Sequence, residues 1–472
     1  MNGQGYDHRP TGVSTEDYWL RFRVPPGLMP DRQFDRRPAR LWVHRVRPVY
    51  AHGKCPSVPT LAVVLIHGRT VPGPVVFDLR YRDPGGGEPL SVQRALAWAG
   101  IDTYAPNLLG YGNSTRLILD NPYNASFRGY PTHPDTVAEL PCTFGGISPP
   151  EGCDRTSNAA IFPLDQQGTM LLNNPLDGKR HQHTSNVRFA RTDVWVRDIR
   201  QVIKFAIDTS ERNKVALVGY SAGGQHVGRT LYRMMSEDTP PLKVSRVVFL
   251  NSLFFAGGPK DEPPNITSPT FPLTLNDRLG SDATWQMQTE ALGGCWEKEG
   301  CTGHIIPGIQ QQVWCQTLKL DSKGSTWGGR PGLPTGLNRS PTFVGYGWNN
   351  VVAQQLEIPT LVMQGLNDTG VPTGTPGTAQ TMYKNLAATD KVLVLVECAS
   401  HALQWEGCSG TRCTPTMGTP YGDPPWGGAA PWAGPHATLK AALIEWIKEE
   451  TFSGEPRGSW TINQSGVASG PT

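Results

Sequence analysis

The chain has 472 residues, enough for a large buried core or for one core carrying big insertions. It has 43 Lys and Arg against 40 Asp and Glu, a net charge of +3 with no concentrated basic tract, which argues against a nucleic-acid partner. No stretch approaches the roughly 20 apolar residues of a membrane span, and 53 Gly with 43 Pro favour long loops over a helical bundle.

Met1 to Pro10 contains no apolar h-region, so no secretory signal is expected in the chain as given. Residues 17–24 and 40–49 alternate apolar and polar side chains and read as opening strands of a sheet. Leu61 to Ile66 is a continuous apolar run that ends at His67-Gly68, as in a strand buried on both faces. Residues 90–99 read as a helix and Ile101 to Pro106 as the next strand. Residues 193–208 have helical spacing, with Val194, Ile199, Val202, Ile203 and Ala206 on one side. Val215 to Val218 predicts a short buried strand, Ala222 to Met235 a helix, and Val244 to Leu250 a further strand. From 252 to about 356 the pattern breaks into Pro, Gly, Trp and short helical pieces. It resumes with a strand at Pro359 to Gln364, a helix over 375–388, a strand at Val392 to Glu397 and a helix over 436–449. Strands alternating with helices predict a parallel sheet covered on both faces. The Gly/Ser-rich residues 451–472 read as a flexible tail. No internal repeat is evident.

Among nine cysteines, three pairs bracket short Gly/Pro-rich segments that a disulfide would staple: Cys142 with Cys153, Cys295 with Cys301, and Cys408 with Cys413. Cys55, Cys315 and Cys398 have no local partner. Oxidised pairs would place the protein outside the reducing cytosol, in a secreted or periplasmic mature form; otherwise the expectation is cytoplasmic. Neither the cysteine spacings nor His181 and His183 make a zinc site, and no metal is expected.

Gly219-Tyr220-Ser221-Ala222-Gly223 lies between an expected strand and an expected helix. A serine on so tight a turn needs small flanking residues, and the turn lifts its hydroxyl above the sheet at a helix N-terminus. A serine hydroxyl also needs a base. His401 follows the strand ending at Glu397, and a loop at the carboxyl end of a parallel strand is where chemistry collects. Asp368, in Gly365-Leu366-Asn367-Asp368, follows the strand before it and is the carboxylate expected to orient the histidine. A rival carboxylate after Leu250 is missing, because Asn251 stands there. After the first buried run, Gly68 lets backbone approach the substrate. The N–H groups of Arg69 and Ala222 are the candidate oxyanion donors, each contributing about 2.7–4 kcal/mol to the transition state. His67 reads as a structural hydrogen-bonding residue of that loop. The Arg69 side chain offers a second option, a substrate carboxylate.

His67-Gly68, Gly110-Tyr111-Gly112-Asn113-Ser114, the turn from Gly219 to Gly223, Asp368 and His401 together resemble the α/β-hydrolase superfamily. The resemblance covers roughly 60–106, 193–251, 357–401 and the final helix. It implies an α/β fold with a mostly parallel eight-stranded sheet flanked by helices, a cap between the sixth and seventh strands, and no metal or organic cofactor. The implied organisation is a core over 1–251 and 357–450 with an insertion at about 116–190, a cap over 252–356, and a Cys-bearing loop insertion over 405–433. One departure is that Asn107 and Leu109 stand where relatives often carry Asp-x-Arg, a change expected to alter loop packing rather than chemistry.

The implied function is a serine hydrolase cleaving a carboxylic ester or lactone. The alternatives keep the same residues for C–C bond hydrolysis, acyl transfer or cyclisation of a natural product, or reduce the fold to a non-catalytic binding module. Trp285, Trp296, Trp314, Trp327 and Trp348 would line a pocket for a bulky or aromatic substrate, or else only pack the cap onto the core. Pro425-Trp426 and Pro431-Trp432 are candidates for flanking the entrance.

Overall fold

The structure is a computed structural model. It describes residues 10–50, 61–81, 90–127, 179, 185, 187–237, 243–264, 272–276, 301, 304–327, 336–368, 371, 378–407, 434–464 and 466–472. Ten strands form the main sheet: β1 (Gly12–Arg23), β2 (Pro38–Val49), β3 (Leu61–Ile66), β4 (Ile101–Asn107), β5 (Val215–Tyr220), β6 (Val244–Leu250), β7 (Thr360–Gly365), β8 (Lys391–Val396), β9 (Gly458–Ile462) and β10 (Ala468–Ser469). Their spatial order is β1-β2-β4-β3-β5-β6-β7-β8-β9-β10. Pairings from β4 through β9 are parallel, while β2 runs antiparallel to both β1 and β4. The strand order reverses beside β3, so the carboxyl ends of β3 and β5 open on a crevice where α/β sheets hold their ligands.

The helices include α1 (Val92–Trp98), α2 (Thr192–Ser210), α3 (Ala222–Glu237), α4 (Thr378–Asn385) and α5 (Pro435–Glu449). Apolar side chains cover both faces of the sheet. One cluster holds Val64, Ile66, Ile199, Leu217 and Phe249; the other holds Val63, Leu65, Val218, Leu361 and Trp446. The alternation of β3 between the two clusters is why its sequence is uninterrupted Leu-Ala-Val-Val-Leu-Ile rather than apolar/polar. Among the described residues no helix is long and apolar enough to cross a membrane.

Two expectations are corrected. Residues 451–472 were expected to be a flexible tail, but β9 extends the sheet alongside β8, and β10 pairs back on β9. Trp460 and Ile462 are buried there, and Trp460 meets Phe452 edge to face at 5.4 Å. These two apolar side chains, on one face of the strand, outweigh the flanking Gly and Ser. Second, Cys301 is bonded to Cys398 across 97 residues, not to Cys295, because the fold brings the segment after residue 300 beside the turn following β8. Cys315 is free and exposed. The other cysteines lie outside the described residues, as do His181, His183, Trp285, Trp296, Trp426 and Trp432.

The described parts of 252–356 include the strand Leu273–Asn276, the helix Ile309–Lys319 and the strand Asn338–Pro341. The two strands pair with each other, and the first also pairs with Ala125–Phe127 from the earlier insertion. A buried ionic knot ties these pieces together. Arg339 donates to both oxygens of Asp321, at 2.8 and 2.5 Å, and Arg116 reaches the same carboxylate at 3.0 Å. Trp327 lies under the Arg339 guanidinium, and Trp348 stacks on Phe249 of β6 at 4.8 Å. Trp327 and Trp348 therefore pack these segments together and onto the sheet.

Candidate active site

Ser221 sits between β5 and α3 with φ at +55°, a left-handed conformation unfavourable for a residue with a Cβ. Crowding holds it there. A Cβ on Gly223 would lie 2.4 Å from the Ile66 carbonyl oxygen, and one on Gly219 would lie 2.6 Å from the Gly224 Cα. The strand-to-helix turn closes only because both positions lack a side chain. Ser221 N–H donates to Leu250 O at 3.0 Å and its carbonyl accepts from Leu253 at 3.0 Å, so β6 braces the turn from the other side.

The loop after β3 comes up against the serine. A Cβ on Gly68 would lie 2.6 Å from the Ser221 Cβ, which brings Gly68 and the following Arg69 to the serine. His67 is buried and fixed at both nitrogens: Nδ1 bonds Gly68 O at 2.7 Å, and Nε2 accepts from the Leu108 N–H at 3.1 Å. Those partners require a neutral ring with the proton on Nδ1, and burial pushes its pKa down to about 4. Ala222 opens α3, so no carbonyl within the helix takes its N–H.

His401 reaches the serine from the turn beyond β8. Its Nε2 is 2.9 Å from Ser221 Oγ, and its Nδ1 is 2.9 and 3.0 Å from the two Asp368 oxygens. All three side chains are buried. Asp368 is held in turn by the Val371 N–H at 2.9 Å. Gln364 fastens the same loop, donating to Val371 O at 2.8 Å and accepting from Ala379 at 3.1 Å. The structure thus brings Ser221, His401 and Asp368 into one hydrogen-bonded line, with Gly68 against the serine. Such a line can remove the hydroxyl proton during attack and stabilise the imidazolium that forms.

Sequence reasoning passed over the residues that hold the histidine loop. Asn251, noted only as a missing carboxylate, accepts from Gly365 N–H at 2.9 Å and donates to Ser400 O and His401 O at 3.1 and 2.9 Å. It locks the end of β7 to the histidine backbone. Tyr220, next to the serine, donates to His401 O at 2.9 Å. Buried Glu406 takes the Ser400 N–H at 2.9 Å. Its backbone oxygen bonds His436 Nδ1 at 2.7 Å, and burial pushes the His436 pKa down to about 3. The Cys301–Cys398 bond lands three residues before His401, and Gly407 N–H meets His304 O at 2.8 Å beside it. Cys301, His304 and Cys398 lie within 4.8 Å of one another by their ligand atoms, but the disulfide leaves no thiolate there for a metal. A polar residue at the carboxyl end of β6 was the one available signal, at Asn251.

The departure at 107 and 109 is absorbed by packing. Asn107 Oδ1 accepts the Gly73 N–H at 3.0 Å, and the Leu109 N–H donates to Asp198 at 2.9 Å.

The chain belongs to the α/β-hydrolase fold family, whose model matches residues 62–407. No curated protein matches the sequence. Solved structures similar to it include a bromoperoxidase from Bacillus anthracis, at 14% identity, covering 78% of this chain and 90% of that one, with a TM-score of 0.34. Another is a 2-hydroxy-6-oxo-6-phenylhexa-2,4-dienoate hydrolase from Rhodococcus sp. strain RHA1, at 15% identity, 83% and 95% coverage and a TM-score of 0.36. A third is a monoacylglycerol lipase from Paleococcus ferrophilus, at 13% identity, 92% and 100% coverage and a TM-score of 0.36.

Proposed function

We propose that the protein is a serine hydrolase that cleaves a carboxylic ester or lactone through an acyl-enzyme on Ser221. The observation that carries this reading is the spacing of His401 Nε2 at 2.9 Å from Ser221 Oγ, with Nδ1 against Asp368. As Oγ attacks the carbonyl carbon, Nε2 takes its proton, and Asp368 stabilises the resulting imidazolium. The carbonyl oxygen becomes an oxyanion held by the N–H groups of Arg69 and Ala222. Collapse expels the alkoxide, which leaves with the proton from Nε2. Water then enters, gives its proton to Nε2 and attacks the acyl carbon; breakdown returns the proton to Oγ and frees the acid. None of these steps draws on a metal or organic cofactor. The cap of this reading is the 252–356 segment, with its Trp327 and Trp348 serving packing. The substrate is a small molecule.

A panel of chromogenic esters and lactones tests the reading, with wild type, Ser221→Ala and Asp368→Asn compared. We expect turnover by wild type and a kcat lower by about 10⁴-fold or more in each variant, by analogy with such triads. Turnover by Ser221→Ala equal to wild type would overturn it. A protein that turns over no ester but cleaves a C–C bond of a diketone would retain the residues and change the reaction.

A further inference from the structure

A cavity of about 300 Å³ opens beside the proposed oxyanion donors. Its wall includes Arg69 and Ala222, the apolar side chains of Phe255 and Phe343, and three further polar residues, Arg188, Gln225 and Thr342. Neither Ser221 nor His401 is among its described wall residues. That placement decides which half of an ester it receives. The leaving alcohol must take its proton from His401 Nε2 and so lies on the histidine side, while the acyl part extends past the oxyanion donors into this cavity.

The polar chemistry of the cavity is one-sided. Among its described wall residues there is no Asp or Glu, while Arg69, Arg188, Gln225 and Thr342 all line it. The Arg188 side chain makes no hydrogen bond or ion pair with the described residues, and it is exposed. Its backbone is nevertheless fixed. Phe189 N–H donates to Thr342 Oγ1 at 3.4 Å, Ala190 N–H donates to Thr342 O at 3.1 Å, and Ala190–Arg191 pairs with Phe343–Val344. Gln225 lies one helical turn beyond Ser221 and also lines the cavity, but its Nε2 is fully buried and makes no hydrogen bond with the described residues. A guanidinium with no partner among the described residues, on a wall it shares with Phe255 and Phe343, is suited to a planar oxyanion.

We infer that the acyl group bound here ends in a carboxylate, with Arg188 as its specificity-determining cation. The substrate class is therefore the half-ester of a short dicarboxylic acid, or a lactone bearing a carboxylate on its acyl side. This inference rests on the reading of Ser221 as the acyl acceptor.

The test compares 4-nitrophenyl butyrate with the 4-nitrophenyl half-ester of glutaric acid, each corrected for its uncatalysed rate, in wild type, Arg188→Gln and Arg188→Lys. Calorimetric titration of the same three proteins with glutarate runs beside it. Wild type should favour the half-ester by about tenfold in kcat/KM, the size of a charge-assisted contact. Arg188→Gln should erase that ratio mainly through KM, Arg188→Lys should restore part of it, and glutarate binding should follow the same order. Equal preference in wild type and Arg188→Gln, or glutarate binding that ignores the substitution, would overturn the inference. Glutarate binding that depends on Arg188, with neither ester turned over, would sink the esterase reading and leave the anion site standing.

Discussion

The two sides of the site are held by different means. The serine side is a matter of backbone and space: Ser221 is set at φ +55° by two glycines that admit no Cβ and by the β3 loop pressed against it. The histidine side is held by side chains and one covalent bond. Asn251, Tyr220 and Glu406 grip the backbone of residues 400–401, and the Cys301–Cys398 bond pins the turn just before it. A side held by space should fail all at once when crowded. A side held by many partners should fail by degrees.

The sharpest break in that comparison comes from Gly223→Val. Its branched side chain would meet the Ile66 carbonyl, and we expect a loss of at least about 3 kcal/mol of stability with loss of serine reactivity. Urea unfolding and probe labelling of the same protein check it; a stable, reactive Gly223→Val protein would dissolve the distinction. On the histidine side, the Cys301→Ser/Cys398→Ser double variant should lose about 2–4 kcal/mol while keeping a fraction of its activity. Thermal unfolding alongside steady-state rates reads both effects. A protein with unchanged melting temperature would show that the bond pins nothing.

Acid should strike both sides together. His67, on the serine side, and His436, on the histidine side, are neutral when folded, with burial pushing them down to about 4 and about 3. Each unfolded ring binds a proton near pH 6.5, so between that pH and the folded value the unfolded state holds more protons. The neutral buried rings cost no stability above about pH 6.5, and stability is lost progressively from there down to the folded values. Denaturant midpoints measured from pH 7 to pH 4 should therefore fall steadily, and a flat profile would contradict the neutral buried pair.

The smallest expected change is Asn251→Ala, which removes three hydrogen bonds but no covalent link. We expect about 2–3 kcal/mol of lost stability and a kcat lower by about 10- to 100-fold with little change in KM, because His401 drifts from Ser221. Equal losses in kcat for Asn251→Ala and Gly223→Val would erase the contrast between the two sides.

This contrast also explains what was legible in the sequence. The buried strands announce themselves: Leu61–Ile66 begins and ends where its apolar run does, and Val244–Leu250 ends with the run Val247 to Leu250. The serine turn is legible because its constraint is local: small residues must flank Ser221 within five positions. The supports of His401 are not local. Asn251 lies 150 residues from His401, and Cys301 lies 97 residues from Cys398, so no spacing rule joins them. Strand β9 was missed because Trp460 and Ile462 give only one period of alternation inside a Gly/Ser-rich segment. Arg188 carried no signal at all until the fold placed it on the wall of the cavity that Ala222 also lines.

The central claim is that Ser221 is activated by His401 under the control of Asp368. Intact mass after treatment with a fluorophosphonate probe tests it most directly, on wild type, Ser221→Ala and Asp368→Asn. The account predicts one adduct on wild type, none on Ser221→Ala, and labelling slowed by orders of magnitude in Asp368→Asn. Labelling of Ser221→Ala at the wild-type rate, or a wild-type protein that takes up no probe, would contradict it.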